Sequence, residues 1–295
     1  MTEAVSFEHP ATRIAEVRPR LVLDVGPVER TMLIPLWARA AETRKRRPLV
    51  RDLRSVQICE SLDYDFGTFR RAYGTQAGCV LRGLLYDQWV GDFLARHPSG
   101  TIVELGAGLS TRFERLDNGA AHWVDVDLPH AMALRRQFFP SSPRRTFLSA
   151  SVLDADWPSA VRAAAPGPYY FVCEGMLMYI EPDDVRSLLV RLADAFGRTE
   201  IVFDSIAPMV VQHQTLHDSM KHMMDAPFRW GIDDIRRIEQ WDRRLAVRDV
   251  ATLPEIARRF RARIGLAHRL VARLVERALP AFAGAYRLAR VELGA

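Results

Sequence analysis

An open, mostly parallel α/β sheet covered by helices on both faces is the fold class that the sequence predicts, and three observations predict it. From Thr101 to Ile206, short apolar runs of strand length alternate with helical stretches, the pattern of successive βαβ units. The first run, in IVELGAGLSTR at 102–112, empties into two closely spaced glycines. Acidic residues then recur at the carboxyl ends of later runs, where open α/β sheets hold their ligands.

Taken in order, residues 1–95 read as a helical cap. TMLIPLWARAAETR places Met32, Leu33, Leu36, Trp37 and Ala40 at helical spacing, so the segment covers a sheet rather than extending it. Residues 96–295 read as the nucleotide-binding unit. In its first turn, Gly106, Ala107 and Gly108 allow a ligand close to the backbone, and the following helix would offer its N-terminal amides. Thr111 stands where a strict GxGxxG has its third glycine. Glu104, two residues before Gly106, departs further from the dinucleotide pattern and points to S-adenosylmethionine, whose cationic methionine end favours a nearby carboxylate.

The second strand, HWVDVDLP, ends at Asp127, nineteen residues beyond Gly108. An acid there can accept from both ribose hydroxyls, or can open the helix begun by Pro129. Strand alternation turns Asp125 elsewhere. In FLSASVLDADW, Ser151 and Val152 are candidates to flank an adenine, and Asp154 either faces its exocyclic amine or caps the turn before Trp157. YYFVCEGMLMYIEP is a buried strand ending in Glu174 and Gly175, with a helix starting at Pro182. After IVFDSI comes an insertion at about 207–244, read as a lid that opens with a long methionine-bearing helix, MVVQHQTLHDSMKHMMDA. A sixth strand is expected near 245–252 and a last near 285–293, with an arginine-rich helix between them.

Composition excludes several classes. Cys59, Cys79 and Cys173 are odd in number and widely spaced, which suggests neither a disulfide framework nor a zinc site, and no HExxH is present. Charges and prolines interrupt the first twenty residues, so no secretory apolar run is expected there. No apolar stretch of about 18 residues predicts a membrane span, and a cytoplasmic setting fits. The net charge of +5 equals the surplus of seven arginines over two glutamates at 254–279. There Ile256, Phe260, Ile264, Leu270 and Leu274 recur at helical spacing and leave Arg269, Arg273 and Arg277 on another face, so a solvated face is expected rather than a nucleic-acid site. RKRR at 44–47 resembles a localisation signal, and a charged helix end before Pro48 explains it as well.

The segments VELGAGLSTRFERLD, WVDVDLP, FLSASVLDADW, VCEGMLMYI and FDSIAP together resemble the leucine carboxyl methyltransferase family, especially its bacterial polyketide branch. The resemblance runs from about Met32 to the C-terminus and is strongest between Leu81 and Asp204. It implies a class I methyltransferase fold, Rossmann-like, with a seven-stranded sheet, and S-adenosylmethionine as cofactor. It also implies that Arg82 grips the methionine carboxylate, Gly106 forms the glycine turn, Asp127 holds the ribose, Ser151 and Val152 flank the adenine, and Glu174 lies near the methionine amine. The lysine that the protein-phosphatase members carry near their N-terminus has no evident counterpart here, which separates this chain from their substrate.

A carboxylate acceptor is already ionised near neutral pH and needs no base, so the site is expected to supply hydrogen-bond donors that orient it. Tyr179 and the lid residues His213, His217, His222, Arg229 and Trp230 are the candidates. His213 and His217, four apart, would share a helix face, and His217 could serve as a general base were the acceptor a phenol. Met220, Met223 and Met224 suit either a flat apolar substrate or the core. The leading expectation is O-methylation of a small secondary metabolite at a carboxylate. Its alternatives are a phenolic acceptor, an NAD-type oxidoreductase and a non-catalytic cofactor-binding protein.

Overall fold

The computed structural model describes residues 20–294, and the statements below concern those residues. The reading of the first nineteen lies outside them. Four helices form the cap: α1 (Pro27–Arg30), α2 (Leu33–Thr43), α3 (Leu53–Ser61) and α4 (Tyr73–Arg96). The apolar stripe of α2 is buried at Leu33, Ile34, Leu36, Ala38 and Ala40. The helix α4 buries Val80, Leu84, Leu85, Trp89 and Phe93, and Trp89 and Phe93 reach the same cluster as Ile102 and Val172 of the sheet.

The sheet follows as β1 (Thr101–Leu105), α5 (Arg112–Leu116), β2 (His122–Asp127), α6 (Pro129–Phe138), β3 (Arg145–Ser149), α7 (Trp157–Ala164), β4 (Tyr169–Cys173), α8 (Pro182–Phe196) and β5 (Thr199–Ile206). The insertion opens with α9 (Pro208–Gln212), and after it come β6 (Leu245–Thr252), α10 (Leu253–Arg259), α11 (Leu266–Ala278), α12 (Pro280–Ala283) and β7 (Tyr286–Leu293). Strand order is β3-β2-β1-β4-β5-β7-β6. The pairings of β7 with β5 and with β6 are antiparallel, and the other pairings are parallel. The inner strands read as nearly continuous apolar runs because helices cover both faces of the sheet. Strand order reverses between β1 and β4, and that reversal opens a crevice at their carboxyl ends.

Two sequence expectations are corrected. The lid does not open with a long helix: α9 stops at Gln212 and short 3₁₀ turns follow. A side chain explains this, because Gln214 donates to Ala226 O at 3.0 Å and accepts from Phe228 N at 2.7 Å, closing the segment into a compact loop. The expected helix after the glycine turn is present and has five residues, and Thr111 before it and Arg115 within it bond to Asp52 of the cap. RKRR directly follows α2, whose C-cap is Arg44, as the charged helix end expected before Pro48, and Arg44 pairs with Glu60. Finally, the apolar stripe at 254–279 is buried at Ile256 and Ile264 but exposed at Leu270 (54%) and Leu274 (67%), because α11 packs against α10 and α12.

One buried pair of arginines fixes the glycine turn. Asp125 accepts from Arg135 Nη2 at 2.8 Å and from Arg145 Nε at 3.2 Å. Arg135 then donates to Gly108 O at 2.9 Å and Ser110 O at 3.0 Å. Replacing Asp125 with alanine would leave the buried Arg135 guanidinium without a carboxylate and Arg145 with Glu114 alone, so we expect a loss of about 3–5 kcal/mol of stability, read from urea unfolding. A variant as stable as the parent would show that Asp125 does not hold the pair.

Candidate functional site

The glycine turn is shaped by its backbone. Gly106 and Gly108 have φ of 66° and 45°, in the left-handed region, and a Cβ on Gly106 would sit 2.8 Å from Met176 Sδ. Arg39 of α2 donates to Leu109 O at 2.9 Å and to Asp52 Oδ2 at 3.0 Å, tying cap to turn. Above the turn lies a cavity of about 750 Å³. Its walls include Gly106, Ala107, Gly108, Glu104, Asp127, Ser151, Val152, Glu174, Arg82, Tyr179 and His217, so eleven of the twelve predicted site residues come together. The twelfth, Asp154, does not line it. Its carboxylate accepts from Ser151 N at 3.1 Å, the turn-capping alternative.

At the floor, guanidiniums alternate with carboxylates. Arg112, 1% exposed, donates to Asp87 (2.9 Å), Glu104 (3.1 Å) and Glu174 (2.5 Å). Arg82 donates through Nε to Glu174 at 2.9 Å, and through Nη1 to Asp204 at 3.2 Å and Tyr286 Oη at 2.6 Å. Its Nη2 has no hydrogen-bond partner among the described residues, which leaves a donor for an anion in the cavity. Asp204 also accepts from Tyr86 and from Gly175 N, so β5 sets the turn that follows β4. Burial raises the Glu174 carboxyl, but Arg82 and Arg112 outweigh burial and hold it at about 2. Asp127 accepts from Gly108 N (2.6 Å) and Leu128 N (2.7 Å), and burial raises its carboxyl against those bonds.

The opposite wall is apolar with a few polar groups. Met32, Ile34, Met176, Met178, Met220 and Phe228 line it, together with Thr31, Thr75, Tyr179, His217 and Ser219. Burial pushes the Tyr179 phenol up to about 12, so it stays protonated and can donate. Burial lowers His217, against an opposing effect of Asp218, which favours the neutral ring. His217 Nδ1 accepts from Met220 N at 3.4 Å and lies 3.3 Å from Ser219 Oγ. An accepting Nδ1 assigns the proton to Nε2, which has no hydrogen-bond partner among the described residues.

Other lid candidates lie elsewhere. His213 is exposed just past the end of α9 and does not share a helix face with His217. Arg229 pairs with Glu181 at 2.5 Å on the surface, Trp230 is buried in the sheet core, and His222 does not line the cavity. Of the three methionines, Met220 alone faces the cavity; Met223 is core and Met224 is exposed. Sequence reasoning missed Arg39, Arg112, Asp204 and Tyr286. An arginine directly after the glycine turn was a visible signal for Arg112; the others have none short of the fold. Among the described residues no group of side chains could hold a metal ion, and no helix is long and apolar enough to cross a membrane.

A parallel sheet with a last antiparallel strand and a glycine turn at its switch point, charged on one side and apolar on the other, defines a class I methyltransferase fold. The leucine carboxyl methyltransferase family model matches residues 33–193. The tetracenomycin polyketide synthesis O-methyltransferase TcmP of Streptomyces glaucescens is 30% identical over 213 residues, 72% of this chain and 78% of that protein. The S-adenosyl-L-methionine-dependent methyltransferase dpfgK of Gibberella zeae is 28% identical over 243 residues, 74% of this chain and 81% of that protein. A solved Thermobifida fusca structure described as a methyltransferase shares the fold, with a TM-score of 0.55 at 15% identity over 88% of this chain and 93% of that one. The chain belongs to the leucine carboxyl methyltransferase family. It is an S-adenosylmethionine-dependent methyltransferase, and the oxidoreductase and non-catalytic alternatives fall.

Because Glu174 titrates below the ordinary value of 4.5, its stabilisation is complete above that value and is lost as pH falls through about 2. Urea unfolding from about pH 5 down to about pH 2 should show this decline, and a Glu174→Gln variant should show a shallower one. Parallel profiles for the two proteins would refute the assignment.

Proposed function

We propose that the enzyme methylates a carboxylate on a small, largely apolar acid of the secondary-metabolite type, giving a methyl ester. The observation that carries this reading is the chemistry of the apolar wall. Tyr179 is a protonated phenol and His217 presents Nε2 as a donor. Both oxygens of Asp218, the carboxylate on that wall, are already engaged by Gly74 and Thr75. Donors beside a carboxylate that is already engaged suit an acceptor that is already ionised, whereas a phenol must lose a proton.

In this reading Arg82 Nη2 receives the cofactor's carboxylate, and Glu104 and Glu174 favour its ammonium. Asp127 uses remaining lone pairs for the ribose hydroxyls, Gly106, Ala107 and Gly108 bring the backbone close, and Ser151 and Val152 flank the base. The bound cofactor supplies an electrophilic methyl group on a sulfonium. Tyr179 and His217 orient the acceptor carboxylate so that one oxygen lies in line with that methyl, and the apolar wall excludes water. No proton need move. The methionines on that wall, soft and adaptable, suit a flat acceptor. A cytoplasmic reaction is part of the proposal, supported by three free thiols, Cys59, Cys79 and Cys173.

Screening aromatic carboxylic acids against phenols with radiolabelled cofactor tests the reading: the label should enter acids and be released by mild alkali. Alkali-stable label on phenols would replace it with the ether-forming reaction and make His217 the base. We expect Asp127→Ala to weaken cofactor binding by about 1–3 kcal/mol in calorimetry, and unchanged affinity in a folded variant would remove its ribose role. Tyr179→Phe should raise the acceptor KM about tenfold while leaving cofactor affinity near that of the parent.

A further inference from the structure

The helix α4 carries Arg82 into the cofactor half of the cavity, yet it begins without a cap of its own. Its N-cap residue, Ala72, has no side-chain acceptor. The first-turn amides of Gly74 and Thr75 point instead at Asp218, far away in the sequence, whose Oδ2 accepts from them at 3.0 and 3.2 Å. Thr75 Oγ1 donates to the other carboxylate oxygen of Asp218 and lies 3.1 Å from Ser219 Oγ. Asp218 therefore does for α4 what an N-cap residue does, from the lid.

The lid segment is otherwise a loop closed by Gln214 on Ala226 and Phe228. His217 and Ser219 flank Asp218 and face the cavity, and Leu216 stands at its mouth, 79% exposed. Seating Asp218 on α4 therefore seats His217 over the acceptor chamber. We infer that Asp218 is a positioning residue and a latch: it holds the 213–228 segment closed by capping α4, so that opening the acceptor chamber and uncapping α4 are one event. The coupling links the acceptor side to the helix that bears Arg82. It does not depend on whether the acceptor is a carboxylate or a phenol.

Cys79, one turn beyond Thr75 on α4, faces the same cavity and gives a probe that needs no acceptor. The full chain, saturated with S-adenosylhomocysteine, is treated with methyl methanethiosulfonate, and labelling of each cysteine is followed by mass spectrometry. We expect Asp218→Ala to raise the Cys79 labelling rate about tenfold, with amide exchange rising together in peptides covering 73–76 and 213–228. Asp218→Asn retains a capping oxygen and should stay within about twofold of the parent. Cys59 and Cys173 should label at parental rates in both variants. The latch is overturned if Asp218→Ala leaves Cys79 unchanged, if exchange rises in the lid peptide alone, or if the asparagine variant behaves like alanine. Faster labelling of Cys59 and Cys173 in Asp218→Ala would also overturn it, since that is general loosening rather than a local opening.

Discussion

The site depends on Arg112. Its guanidinium lies inside the protein, tied to Asp87 of α4, Glu104 of β1 and Glu174 at the end of β4. Removing such a charge from water is costly, and only a full set of partners repays it. The partners come from three elements, so the arginine can be satisfied only when the cap helix, the first strand and the switch-point strand take their native positions together. Around it, Arg82 and Arg115 complete a cluster with Asp87, Glu104, Glu174 and Asp204. That cluster holds one more carboxylate than guanidinium. A cavity edge with that surplus favours a cation, which fits a positively charged methyl donor, and it leaves Arg82 Nη2 as the uncommitted donor for a carboxylate.

The same logic explains how a helical cap is held against a sheet by charged groups. Asp52, at the start of α3, accepts from Ser55 N in its own helix, from Arg39 in α2, and from Thr111 and Arg115 just past the glycine turn. Burial raises its carboxyl, and the two arginines together with the hydroxyls of Ser55 and Thr111 more than reverse this. Thr111 thus has a structural use that a third glycine could not serve. The departure from GxGxxG, visible in the sequence, marks a turn built to be gripped from the cap.

What could be read from the sequence follows from how far each interaction reaches. The strands, their order of appearance and the acids at their carboxyl ends were legible because alternation and strand length are local. Each of Glu104, Asp127 and Glu174 is placed by its own strand. Asp204 was quoted but given no role, because its partners lie on α4, after β4 and on β7. The lid was misread for the same reason. Its composition favours a helix, yet Gln214 and Asp218 hold it in a loop through contacts that no window of sequence contains. At Leu270 and Leu274 the helical spacing is real, but spacing alone does not supply the partner that would bury an apolar face.

The two halves of the cavity are therefore built on different principles. The half that we assign to the cofactor is set by strand ends in fixed parallel register and by buried ion pairs, where moving one group strands several others. The acceptor half rests on the Gln214 closure, the Asp218 contact and packing by methionines and Phe228, all on a segment with little regular structure. Substitutions in residues 208–228 can thus reshape the acceptor chamber without disturbing Arg82, Glu104, Asp127 or Glu174, provided that α4 keeps an acceptor at its first turn. In that assignment, variation in acceptor is compatible with an unchanged cofactor site only because the charged part of the structure lies beneath the adaptable part and does not run through it.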